Sequence, residues 1–119
     1  MHKSRLINEL DGEIWDKGIV ELLGGRFPVN SELEEGSKVH VKIDFDDVVI
    51  HDDEDDGIIG GEVVSSIYKG SYYQCIVRTD DFYDFFVDTD DEWLKGDRVG
   101  ISVAPAKIII EEIKTDEEA

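Results

Sequence analysis

Basic residues are scarce in this chain: 12 Lys and Arg stand against 30 Asp and Glu in 119 residues, a formal charge of −18 at pH 7. Neutralising phosphates supplies much of the affinity of nucleic-acid binders, so this balance argues against that class, although Tyr68, Tyr72, Tyr73 and Phe82 would serve as stacking platforms. Cysteine is almost absent as well. The lone Cys75 cannot close an internal disulfide, which fits a reducing compartment, and on the Tyr73, Cys75, Val77 face of a strand it reads as core. No apolar run approaches the roughly 20 residues of a transmembrane helix, and no signal peptide is visible. A soluble, cytosolic domain is expected.

The motifs of catalysis are missing too. There is no Gly-x-x-x-x-Gly-Lys-Ser/Thr loop and no Ser or Cys in a nucleophile elbow. His2, His40 and His51 are scattered, and none has metal-ligand spacing with a cysteine or a second histidine. Asp52-Asp53-Glu54-Asp55-Asp56-Gly57 resembles the start of a calcium loop, but its twelfth position, where a bidentate glutamate belongs, is Val63. Leu22-Leu23-Gly24-Gly25-Arg26 looks like an ATPase signature, yet Phe27-Pro28-Val29 follows where a helix should begin. These segments read as an acidic loop and a hairpin turn. No catalytic residue, metal or cofactor is expected in this chain.

What the chain does carry is a repeat. Gly36-Ser37-Lys38-Val39-His40-Val41-Lys42-Ile43 lies over Gly96-Asp97-Arg98-Val99-Gly100-Ile101-Ser102-Val103, and Val48-Val49-Ile50 lies over Ile108-Ile109-Ile110. Upstream, Glu32-Leu33 meets Glu92-Trp93, with Trp93 expected to replace Leu33 as a plug of the core. Self-similarity at a fixed offset marks one supersecondary unit used twice, and two copies are too few for an open solenoid. The copies should therefore close on each other.

Alternation within the repeat is that of half-buried strands, with Val39, Val41, Ile43, Val99, Ile101 and Val103 expected to line one core. Further strand runs cover Leu10 to Trp15, Ile19 to Leu23, Arg26 to Val29, Gly60 to Tyr68, Tyr72 to Thr79 and Phe82 to Val87. Helical turns are expected only near Ser31 to Glu35 and Asp90 to Leu94. The fold class is all-β, a small OB-like barrel built from two related segments, about 8–51 and 58–112. Residues 1–7 read as a disordered or added N-terminus, and 113–119 as an acidic tail.

Gly-x-x-Val-x-Val-x-Ile with an acidic corner, then Gly61-Glu62-Val63 leading to Ile67-Tyr68-Lys69-Gly70-Ser71-Tyr72-Tyr73, then Gly-x-x-Val-x-Ile-x-Val-x-Pro, resembles the transport-associated OB (TOBE) domain. That domain is the C-terminal regulatory part of ABC importer ATPases. Within the group the chain is most similar to the ATP-binding subunits of spermidine/putrescine importers, over about Asn8 to Glu112. The corner departs from the common Arg-Pro-Glu-Asp, since Asp44-Phe45-Asp46-Asp47 stands here. The second corner keeps Pro105 but flanks it with Ala104 and Ala106.

The resemblance implies a non-catalytic regulatory and dimerisation domain. Its implied partners are its own nucleotide-binding domain, a second ATPase subunit in a homodimer and, indirectly, a membrane permease. ATP and Mg would belong to that nucleotide-binding domain, absent from this chain, and the assembly would sit at the inner face of the cell membrane. The alternatives are a module sensing polyamine or another cation, or a stand-alone acidic adaptor. For the sensing module the candidate residues are Asp44, Asp46, Asp47, Asp52, Asp53, Glu54, Asp55 and Asp56, expected to meet at one rim, with Phe45 or Tyr68 adding cation–π contacts. Phe82, Tyr83, Phe85 and Phe86 exceed what one strand face buries and are the candidate interface, unless the barrel covers both faces.

Overall fold

The computed structural model describes residues 7–113. Thus the expected N-terminal extension lies outside the described residues, apart from Ile7, which opens the first strand. The acidic tail does too, apart from Ile113.

The strands follow the apolar alternation. In chain order they are β1 (Ile7–Asp16), β2 (Ile19–Leu22), β3 (Gly25–Pro28), β4 (Lys38–Asp44), β5 (Val48–His51), β6 (Ile59–Tyr68), β7 (Tyr73–Thr79), β8 (Asp84–Thr89), β9 (Arg98–Val103) and β10 (Ile109–Glu112). Three short 3₁₀ turns, Phe45–Asp47, Glu54–Asp56 and Pro105–Lys107, are the only helical segments among the described residues. Residues 31–35 and 90–94 carry no helical turn. A single turn there would fix several dihedrals for one hydrogen bond, and the chain instead runs extended into the tight turns at Gly36 and Gly96. Both glycines sit at positive φ, +90° and +98°, which a side chain would resist.

Two antiparallel five-stranded sheets result, ordered β10-β4-β1-β2-β3 and β5-β9-β6-β7-β8. The fold is all-β and OB-like, built from two related segments, but the halves do not merely abut. Each passes its last strand to the other: β5 joins the sheet of β6 to β9, and β10 joins the sheet of β1 to β4. The exchange keeps the repeat's offset. Ile50 lies opposite Ile101 on β9, and sixty residues on, Ile110 lies opposite Val41 on β4.

The equivalence reaches beyond the repeated motif. Ile14 N–H donates to Ser37 O and Gly36 N–H to Ile14 O, while Val63 N–H donates to Asp97 O and Gly96 N–H to Val63 O. The long strands β1 and β6 are bulged at matching places, between Ile14 and Asp16 and between Val63 and Ser65. Phe27 and Phe85, both fully buried, stand opposite Val20 and Val77.

One continuous core fills the space between the sheets. Val39, Val41, Ile43, Val99, Ile101 and Val103 all belong to it, with Leu33 and Trp93 packed against its margin. Cys75 is buried, and its thiol lies 3.6 Å from the Ser66 hydroxyl. Burial pushes that thiol above its ordinary pKa.

Candidate functional site

A strand is an extended object, and that decides where the acidic residues go. At about 3.3 Å per residue, the four residues of β5 separate their ends by roughly 10 Å. The turn Phe45–Asp47 at one end packs against β8, and the turn Glu54–Asp56 at the other packs against β9 and β6. Asp44, Asp46 and Asp47 therefore lie at one end of β5 and Asp52 to Asp56 at the other. The expectation that they share a rim fails because the strand between them spaces them out.

The second group is a fastened loop. Asp53 accepts a hydrogen bond from Asp55 N–H at 2.9 Å, and Gly57 N–H closes the turn onto Glu54 O. Glu54 pairs with Arg98, whose guanidinium also reaches Asp80: Nη2 is 2.9 Å from Glu54 Oε2 and Nη1 is 3.1 Å from Asp80 Oδ1. That guanidinium holds the Asp80 carboxyl below its ordinary pKa. The turn crowds β9 so closely that a Cβ on Gly100 would stand 2.7 Å from Glu54 O. Sequence reasoning missed this clasp, since Glu54 and Arg98 are far apart in the chain.

The first group opens onto a groove. Asp46 lines it together with Asp88, Asp90, Asp91 and Tyr72, and Val48 to Ile50 line it from β5. The groove measures about 530 Å³, within the range of small-ligand clefts. It lies along the seam where β5 and β8, the two edges of one sheet, approach each other. Of the eight acids singled out in the sequence, Asp46 alone lines it. Asp88, Asp90 and Asp91 come from the second acid-rich stretch, Asp80 to Glu92, whose alternation with Phe85 and Val87 was the available signal.

The aromatic set divides in the structure. Phe85 is core, Phe86 stacks on Phe45 with ring centroids 5.2 Å apart, and Tyr83 meets Phe85 edge-on at 5.0 Å. Phe82 alone stands clear, 84% exposed at a hairpin tip with φ at +65°. Phe85 thus lies inside, Phe86 and Tyr83 are half-buried and Phe82 is exposed, so the four residues do not form one surface. Next to them sits a residue that sequence reasoning passed over. Buried Asn8 of β1 donates from Nδ2 to Phe86 O and accepts from Phe86 N–H at Oδ1, both at 3.0 Å.

No protein-family model matches the sequence. Two curated relatives do. Over 110 residues, 91% of this chain, it is 44% identical to the spermidine/putrescine import ATP-binding protein PotA of Bacteroides thetaiotaomicron. The protein of the same name from Bacteroides fragilis is 44% identical over 108 residues, 88% of the chain. The chain belongs with the transport-associated OB domains of these import proteins. It spans about a quarter of the relatives' length, 24% and 23%.

Among solved structures, the cytoplasmic molybdate-binding protein ModG with molybdate bound matches the TOBE domain with a TM-score of 0.73. The match covers 87% of this chain and 94% of that one at 10% identity, and so bears on the fold alone. No helix among the described residues is long and apolar enough to cross a membrane.

Proposed function

We propose that this TOBE domain is the non-catalytic C-terminal regulatory and dimerisation domain of an ABC importer ATP-binding subunit that serves spermidine and putrescine uptake. The observation that carries the reading is the 44% identity to import ATP-binding proteins across nearly the whole chain. In this reading a nucleotide-binding domain of the same subunit supplies ATP and Mg, and two subunits pair beneath a permease at the inner face of the membrane. Phe82 supports a contact of this kind, because its ring stands exposed at a hairpin tip whose turn its own N–H closes onto Thr79 O.

The test is uptake of labelled spermidine by vesicles holding the subunit and its permease, with and without this domain. Deleting the domain should uncouple uptake from ATP hydrolysis, while the isolated domain should show no thermal shift with Mg-ATP. Turnover of ATP by the isolated domain, or uptake that ignores the deletion, would overturn the reading.

A second reading, cation sensing, is favoured by the groove beside β5. Four aspartates and the Tyr72 ring suit a ligand with several ammonium groups. In this reading the site is Asp46 with Asp88, Asp90 and Asp91, rather than Asp44, Asp47 and the clasped run Asp52 to Asp56.

A further inference from the structure

Charge is one of two things the groove offers; the other is a sheet edge. Ile59 stands opposite Ile101, and Ile58 N–H donates to Ile101 O at 2.8 Å, so Ile101 turns its backbone groups toward β6. Ile50 lies opposite Ile101 on the other side. In an antiparallel ladder the hydrogen-bonding direction alternates along a strand. The N–H and C=O of Val48 and Ile50 therefore point away from β9, out of the sheet, along the wall of the groove.

The opposite edge shows what such groups accept. Thr79 N–H donates to Tyr83 O, which sets the alternation on β8 so that Phe86 turns its N–H and C=O outward. Asn8 meets both with its side-chain amide, as the peptide group of a neighbouring strand would. The fold thus places an amide against this seam at Phe86 and, among the described residues, leaves the seam as a groove farther along, where Thr89 and Val49 line it.

We propose that the groove takes an extended basic peptide segment, which pairs with the outward edge of β5 and sets Lys or Arg side chains against Asp90 and Asp91. Edge pairing supplies main-chain hydrogen bonds, and the flanking side chains supply selectivity. Charge complementarity selects a basic occupant, since a chain carrying −18 repels an acidic one. The proposal goes beyond cation sensing, in which charge alone suffices, and it does not depend on the importer reading.

The probe is the peptide acetyl-Lys-Val-Lys-Val-Lys-amide, titrated by fluorescence anisotropy against the whole chain at about 0.15 M salt, where long-range attraction is screened. A second peptide of the same sequence carries N-methyl groups on alternate amides, which keeps the charge and removes the edge hydrogen bonds. The parent should bind saturably, shift the Val48 to Ile50 amide resonances, and exceed the N-methylated peptide by about tenfold, the worth of one or two hydrogen bonds. Asp90→Asn with Asp91→Asn, both exposed loop changes, should weaken both peptides alike. Equal binding of the two peptides would reduce the groove to a cation site and overturn the proposal, as would a complete lack of saturable binding. Because the protein is unchanged between the two peptides, misfolding cannot produce the difference.

Discussion

Asn8 shows how much one polar residue in an apolar phase can carry. Its position alternates with Leu10 and Ile14, which are core, so a polar side chain there must be satisfied inside. It is satisfied by the neighbouring sheet, through the paired 3.0 Å bonds to Phe86. Replacing Asn8 with Ala strands a donor and an acceptor on β8, and the expected cost is about 1–3 kcal/mol in chemical denaturation. A loss below about half a kcal/mol would mean that water takes over both bonds. His40 makes a different prediction. Its ring nitrogens lie 3.0 Å from Asp11 and 2.9 Å from Glu9, both on β1, and Glu111 of β10 stands opposite it in register. Lys38 and Lys42 flank it on the same face, paired with Glu13 and Glu111. The hydrogen bonds to Asp11 and Glu9 raise its pKa above 6.5. A raised folded-state value means that the stabilisation is complete below the unfolded pKa and is lost as pH rises through the folded one. Stability should therefore decline on going from about pH 6.5 upward through that value. His40→Gln should flatten this part of the profile; an unchanged slope would assign it to other groups.

Among the elements, the exchanged strands β5 and β10 matter most, and each rests on the middle of its partner. Ile101 is fully buried on β9 between Ile50 of β5 and Ile59 of β6. Truncation to Ala should cost about 2–5 kcal/mol, the range for buried large aliphatics. Urea melts reading less than half a kcal/mol would show that this position relaxes around the gap. The strands themselves were legible, because alternation at Val39, Val41 and Ile43 and its echo at Val99, Ile101 and Val103 have only one physical reading. The exchange was not. Equivalent strands pair with equivalent registers whether they stay with their own half or cross over, so no residue pattern distinguishes the two. The site was legible only in part for a related reason. Nearness in sequence suggested that Asp46 joins Asp52 to Asp56, whereas the extended strand between them sends Asp46 toward β8, where its neighbours Asp88 to Asp91 come from the other half of the chain.

For the whole molecule, exchange and core together forbid independent halves. Each sheet contains one strand from the other half, Asn8 bridges the two, and the buried side chains of both form one cluster. Melting β6 to β9 would strip β5 of its partner strand β9 and remove Phe86 from Asn8, while β10 would stay attached to β4 at the end of an unfolded chain. The cost of keeping either sheet alone is thus the loss of a shared core, and the described domain should unfold in one step despite its two-fold design. Ile43→Ala places a cavity in one sheet and Ile101→Ala in the other, both at fully buried positions. Each should lower a single calorimetric transition by roughly 10 °C or more, given about 4–8 °C per kcal/mol for a domain near this size. The calorimetric and van't Hoff enthalpies should agree in both variants. A second transition, or amide exchange in which one variant opens only its own sheet, would show that the two halves retain separate stability and that the strand exchange is a connection rather than a shared structure.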